Sequence, residues 1–290
     1  MVSKCMLSAL AVAAALALGM FTQVATAQQG NIGIRVELSQ PNQTSPEAAQ
    51  STQSTTDFTM RPSVTSSTLG AGVQTLPLTV FCINLLTGQI INNCNVNLTA
   101  KPEAFSGGHD HDDSNRPKGS FQPSSGNTGT SGLPTTYTAP EVSGIVDATI
   151  NGTAPDGTPL VPTTATIGVE IDGLAVLGPG TNYDLVGSTS LHSDNHYGTP
   201  SLNGSLVGLA DSYAGVFPNE RLAYNDMSLV TGGLFDYQGT WSKPHVSHRF
   251  GVDADMRLLP VAERRRVRQL IYASGFSKII VEGNHWHLRQ

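Results

Sequence analysis

The end of this 290-residue chain carries two histidines separated by one residue, His285 and His287. Side chains alternate along a β-strand, so both would point to one face, where one could bind a metal ion and the other could reach a metal-bound water. Upstream, His248 and Asp255 would complete a His/Asp/His set. Three protein ligands with the fourth position open are typical of a catalytic zinc. Six of the eight histidines follow residue 190, which favours one site over scattered core histidines.

The residues between His248 and Asp255 also suit a metal site. Gly251 permits a tight turn that would let the two ligands converge. Asp253 lies two residues before Asp255, on the same face of a strand, so it competes as a ligand.

These motifs resemble those of a known group. The segment 248–255, HRFGVDAD, is similar to the H-x-x-G-x-[AD]-x-D motif of the lysostaphin/D-Ala-D-Ala metallopeptidase/hedgehog superfamily, in the form found in penicillin-insensitive murein endopeptidases. The final His-Trp-His resembles the C-terminal H-x-H of the same group, and the resemblance covers about residues 190–290. It implies Zn²⁺ bound by His248, Asp255 and His287, with Asp253 orienting a ligand or forming a salt bridge.

The same resemblance implies an enzyme that hydrolyses amide bonds, with cell-wall peptide (peptidoglycan) as the substrate class. Relatives use a Glu or a His shortly before the last ligand as the catalytic base, and this chain offers Glu282 and His285. If one regular strand carries both residues, Glu282, five positions before His287, faces away from it unless Gly283 forms a bulge, so we favour His285. The alternative is a zinc-containing adhesion or binding protein without turnover, since the hedgehog branch keeps the fold without evident peptidase activity.

Other polar residues carry weaker signals. His109 and His111 form a second metal-like tract, which we interpret as a polar loop because no further ligands follow at a suitable spacing. His192 and His196 could line the cleft. Two arginines, Arg221 and Arg249, could pair with a substrate carboxylate, although surface salt bridges are the commoner role.

Composition excludes one class of partner. The net charge is −6 and aromatic residues make up 6% of the chain, so nucleic-acid binding is not expected. Acidic residues outnumber basic ones before residue 190, whereas the two balance after it, which favours two domains.

The N-terminus is typical of a secretory signal. Lys4 precedes an apolar run from Met6 to Phe21, and Ala25-Thr-Ala27 is an A-x-A site, so we expect cleavage after Ala27. No later segment is long and apolar enough to cross a bilayer, which predicts an exported protein, periplasmic or extracellular, with no membrane span in the mature chain. In an oxidising compartment Cys82 and Cys94 should pair, on opposite strands of a hairpin that turns over 87–89.

The elements that must position these residues fall into four segments. Residues 28–75 are rich in Ser, Thr, Gln and Pro, which predicts a linker with a possible first strand at 32–38. The next segment indicates a β-sandwich, with strands predicted at 76–83, 90–98, 144–150 and 163–171. The phrase Thr136–Pro140 resembles bacterial immunoglobulin-like repeats. After a boundary near 178–180 we expect mixed loops, including 206–213, one helix from Pro260 to Gly275, and a strand from Lys278.

The expected organisation is therefore a signal peptide (1–27), a linker (28–75), an all-β immunoglobulin-like sandwich (76–180) and a small α+β zinc-peptidase-like domain (181–290).

Overall fold

The structure is a computed structural model that describes residues 31–39, 57–64, 72–242 and 247–290. Within these residues the fold is β-rich, with sixteen strands in four sheets and two α-helices. Neither of these helices has the length and apolar character needed to cross a membrane. The predicted signal sequence, the stretch 45–56 and His245 lie outside the described residues.

The first half of the chain forms two sheets that share one hydrophobic core. The sheets are ordered β1-β3-β7-β5 and β2-β9-β8-β4-β6. Buried and exposed residues alternate along β4 and β8, so each presents one face to this core. The strands are β1 (Ile32–Leu38), β2 (Phe58–Met60), β3 (Thr75–Asn84), β4 (Asn95–Pro102), β5 (Ser120–Gln122), β6 (Ser125–Asn127), β7 (Leu133–Thr138), β8 (Gly144–Thr153) and β9 (Thr163–Val169).

Two of these strands lie in the segment predicted as a linker. The possible first strand is β1, which pairs antiparallel with β3 along its whole length. The short β2 was not predicted, since three residues show no usable periodicity; it pairs parallel with β9. Parts of the segment 28–75 are therefore built into the two sheets.

The predicted disulfide between Cys82 and Cys94 is confirmed, with a Cα–Cα distance of 6.2 Å. Its expected position within a hairpin is wrong. The hairpin pairs Ile83 with Ile90, and the carbonyl of Cys82 accepts from the amide of Ile91. Cys94 immediately precedes β4, which belongs to the other sheet, so the disulfide joins the two sheets.

The second half is built on a five-stranded sheet ordered β11-β13-β14-β16-β15, beside a two-stranded ribbon of β10 and β12. Two helices, α1 and α2, contribute to its core, which is separate from that of the first half. The elements are β10 (Ala175–Val176), β11 (Tyr183–Leu185), β12 (Tyr197–Gly198), α1 (Pro200–Val216), β13 (Leu222–Tyr224), β14 (Asp253–Arg257), α2 (Arg264–Ala273), β15 (Lys278–Val281) and β16 (His285–Arg289).

Helix α1 overturns the expectation of mixed loops at 206–213. The Thr199 hydroxyl caps the helix by accepting from the amide of Leu202 at 3.2 Å, and Pro200 occupies the first turn. Exposed Gly and Ser residues obscured the pattern in the sequence, although the buried residues have helical spacing: Leu202, Leu206, Leu209, Ala210 and Tyr213. The predicted helix α2 is present but begins at Arg264 rather than Pro260.

The two halves contact each other through backbone and side-chain bonds. Val142 forms an isolated β-bridge with Gly233, and the amide of Leu234 donates to the carbonyl of Glu141 at 2.9 Å. Gly233 has a φ of 74°, and a Cβ there would lie 2.8 Å from the amide nitrogen of Ser143, so only glycine fits this approach.

Candidate metal centre

Two adjacent strands bring a carboxylate and an imidazole together. Antiparallel pairing of β14 with β16 sets Asp255 opposite His287, and Asp255 Oδ1 lies 2.9 Å from His287 Nδ1. Both side chains are buried. The register of one strand pair therefore assembles two of the three predicted ligands.

The third predicted ligand comes from the turn before β14. His248 begins a short 3-10 turn that ends at Gly251, whose φ of 66° is in the left-handed region. A Cβ at Gly251 would also lie 3.1 Å from Gly198 Cα and 3.2 Å from the backbone nitrogen of Thr199, so the turn favours glycine. His248 Nε2 then lies 3.4 Å from Asp255 Oδ2. One ligand atom from each of His248, Asp255 and His287, the sheet cluster, lies within 4.8 Å of the others.

Asp253 makes both contacts expected for it: it holds the ring of His287 and forms a salt bridge with Arg289. Its Oδ1 lies 2.9 Å from His287 Nε2, and Arg289 Nε donates to the same oxygen at 2.6 Å. A carboxylate that holds one ring nitrogen of a histidine leaves the other nitrogen to a metal, the arrangement common around zinc-bound histidines. The Nδ1 atom of His287 thereby faces Asp255.

The charges around His287 favour a cation. Burial lowers the pKa of His287, but hydrogen bonds to Asp253 and Asp255 and their negative charges outweigh it and raise the pKa to about 9. For Asp255 burial acts in the opposite direction and raises the pKa. Hydrogen bonds from His248 and His287 nevertheless hold the pKa of Asp255 well below its usual range. A divalent cation would satisfy the same carboxylates, so the sheet cluster can bind a metal ion.

Asp226 is a buried neighbour of the sheet cluster. Its backbone carbonyl accepts from the amide of Asp255 at 2.8 Å, and its Oδ1 accepts from Asn195 Nδ2 at 2.9 Å. Burial raises the pKa of Asp226, and the charge of Asp255 adds to this rise while that of His248 opposes it. The aspartate therefore supports the backbone next to the cluster.

The two candidate bases lie on either side of a hairpin turn. We expected one strand to run from Lys278 through the His-x-His, but the chain reverses after β15 and His285 begins β16. The face argument against Glu282 therefore does not apply, because no strand connects the two residues. His285 Nε2 lies 3.3 Å from Asp255 Oδ2 and 3.3 Å from Glu282 Oε2.

The other predicted residues fall into separate environments. His196 Nε2 lies 3.0 Å from the carbonyl of Val186, and His196 belongs to neither of the metal-binding groups found among the described residues. Arg221 pairs with Asp184, and Arg249 is buried and pairs with Glu141 at 2.9 Å, so both are held in ion pairs.

The interpretation of His109 and His111 as a simple polar loop is overturned. The fold brings His192 and Asp236 to them, and a ligand atom from each lies within 4.8 Å of the others. These four buried residues form the interface cluster. The missing ligands come from 81 and 125 positions further along the chain, so spacing could not reveal them.

Comparisons with known proteins leave the site to be interpreted from its own geometry. No protein-family model matches the chain, and no curated protein shows significant sequence similarity to it.

Proposed function

We propose that this chain is an exported zinc-dependent peptidase that hydrolyses amide bonds in cell-wall peptides. One observation carries the proposal: His285 places Nε2 3.3 Å from Asp255 Oδ2 with its side chain 18% exposed, whereas Asp255 is 1% exposed. The imidazole of His285, which can exchange protons, thus contacts both the buried ligand set and solvent.

The sheet cluster would hold the zinc ion. Its two imidazoles and one carboxylate match the donors of catalytic zinc sites with three protein ligands. Zinc in such a site supplies Lewis acidity, which polarises a substrate carbonyl and lowers the pKa of water. Asp253 keeps the His287 ring in one orientation through the 2.9 Å contact with Nε2.

Amide hydrolysis needs a group that accepts a proton from water and returns one to the leaving nitrogen. His285 can do both. Its Nδ1 lies 2.8 Å from Asn284 Oδ1, and donation from Nδ1 leaves the Nε2 lone pair to accept a proton. The carboxylate of Glu282, 3.3 Å from Nε2, stabilises the charged imidazolium, so Glu282 assists rather than replaces the histidine.

The finer fold assignments belong to the same proposal. Two sheets around one core support an immunoglobulin-like sandwich in the first half. In the second half, α2 lies between the two motif segments, as in the superfamily that the motifs resemble. Cell-wall peptide as the substrate and export as the destination rest on that resemblance and on the N-terminal sequence.

A second candidate function is a zinc-containing adhesion or binding protein without turnover. Burial favours it: His248, Asp255 and His287 are 1%, 1% and 3% exposed. A zinc held by such side chains could stabilise the sheet alone.

Digestion of purified peptidoglycan separates the two functions. The full chain, loaded with Zn²⁺, should release peptide fragments detectable by mass spectrometry; a chelator should stop the release and added zinc restore it. His285→Ala should keep its zinc and lose the release, with His196→Ala as a control outside the cluster. Zinc-loaded protein that releases nothing would favour the binding protein.

A further inference from the structure

We propose that the interface cluster binds a second divalent transition-metal ion, with zinc the best match, and that this ion joins the two halves of the molecule. Three ring nitrogens converge on one carboxylate oxygen, Asp236 Oδ1. The distances are 3.1 Å from His109 Nδ1, 3.3 Å from His111 Nε2 and 3.0 Å from His192 Nε2. All four residues are at most 7% exposed.

Hydrogen bonding alone accounts poorly for this arrangement. A carboxylate oxygen has two lone pairs, so three ring N–H groups cannot all bond well to Asp236 Oδ1. Among the described residues the far ring nitrogens of His109, His111 and His192 have no hydrogen-bond partner. Hydrogen bonds therefore leave both sides of the three rings poorly satisfied, and metal–ligand bonds to the converging nitrogens would remove their competition for Asp236 Oδ1.

The spacing of the atoms fits a tetrahedral ion. With zinc–nitrogen bonds of about 2.0–2.1 Å, tetrahedral geometry separates neighbouring ligand atoms by about 3.3 Å. The contacts between Asp236 Oδ1 and the three nitrogens, 3.0–3.3 Å, are close to this separation. One ligand atom from each of the four residues lies within 4.8 Å of the others, so the three rings can close around one ion by approaching each other further.

The donors select the class of metal. Three imidazoles and one carboxylate suit zinc and its neighbours among the transition metals, whereas Ca²⁺ and Mg²⁺ prefer oxygen ligands. Four protein ligands fill a tetrahedral site and leave no position for a substrate, so the ion would be structural. Trp241 covers the cluster: its ring centroid lies 4.4 Å from that of His111, and its amide donates to Asp236 Oδ2 at 2.7 Å.

The origin of the ligands gives the ion its role. His109 and His111 lie on the connection between β4 and β5 in the first half, whereas His192 and Asp236 lie on loops of the second. Phe235, next to Asp236, packs its ring 5.0 Å from the His192 ring and 6.4 Å from the His248 ring. An ion in the interface cluster would therefore hold the two halves together beside the sheet cluster, whether or not that cluster is catalytic.

Metal content and anomalous scattering test the proposal on the full chain. After equilibration with Zn²⁺ and removal of loosely bound metal, the wild type should contain two zinc ions per chain. His192→Ala should lose one, His248→Ala the other, and His196→Ala, a buried histidine four residues along the same segment, neither. Crystals measured at the zinc edge should show an anomalous peak among His109, His111, His192 and Asp236.

Each alternative result is decisive. One zinc per chain in the wild type, unchanged in His192→Ala, would overturn the proposal and leave the interface cluster as a hydrogen-bonded polar core. If His192→Ala does not fold, the wild-type stoichiometry and the anomalous map decide, and a map without a peak at the four residues overturns the proposal. Failure of peptide release with two zinc ions bound would count against the peptidase alone.

Discussion

The two His/Asp clusters use the same donor atoms but differ in access. The sheet cluster has three ligand residues from one sheet and the turn before it, with the partly exposed His285 beside them. The interface cluster has four, drawn from both halves and covered by Trp241. Under the two proposals, the number of ligands and the cover over them, rather than the residue types, would separate a catalytic centre from a structural one.

The largest expected effect comes from replacing one histidine in each cluster and comparing the two variants. His248→Ala should remove the metal of the sheet cluster and reduce peptide release to the uncatalysed level, because the Lewis acid is lost. His192→Ala should lower the melting temperature instead, since it removes a link between the halves. Fragment release and thermal unfolding of both variants check this. Equal loss of release in the two variants would contradict separate roles.

The next largest effect distinguishes the candidate bases. His285→Ala should keep zinc yet lower kcat at least about 100-fold, the scale for losing a general acid or base. Glu282→Gln should have a smaller effect because its carboxylate only supports the imidazole. The pH profile of kcat should lose one limb in His285→Ala. An inactive Glu282→Gln beside a normal His285→Ala would reverse the assignment.

The third prediction concerns the disulfide between Cys82 and Cys94, which contributes to the stability of the first half. Replacing both Cys82 and Cys94 by Ser should lower the free energy of unfolding by about 3 kcal/mol, as expected for a disulfide that closes a short loop. Chemical denaturation measures this, and zinc content should stay unchanged. Free thiols at these two positions in unreduced protein would contradict the disulfide.

The smallest effect tests how the sheet cluster is held. Asp253→Asn should weaken zinc binding about 10- to 100-fold, because the carboxylate that orients a metal-binding histidine is lost. Competition with a chromophoric chelator measures the affinity, with Asp147→Asn in the first half as the control. Unchanged affinity would mean that Asp255 and the fold orient His287 without Asp253.

Prediction from sequence succeeded where the pattern is local. His248, Asp255 and His287 were named from two short motifs and the resemblance those motifs carry; the structure brings the three residues together, and metal binding by them stays a prediction. Helix α1 was missed although its buried residues have helical spacing, because Gly and Ser residues diluted the apolar pattern. The reversal at Gly283 was missed because a short turn between two strands leaves little composition signal.

By itself the sequence determined the β-rich character, the pairing of Cys82 with Cys94 and the side chains able to bind metal near the C-terminus, because period-two alternation and residue chemistry are local properties. Only the tertiary structure decided that the disulfide joins two sheets, that Glu282 reaches His285 across a turn, and that His192 and Asp236 meet His109 and His111. Those contacts depend on how distant segments pack, and packing leaves no fixed spacing along the chain.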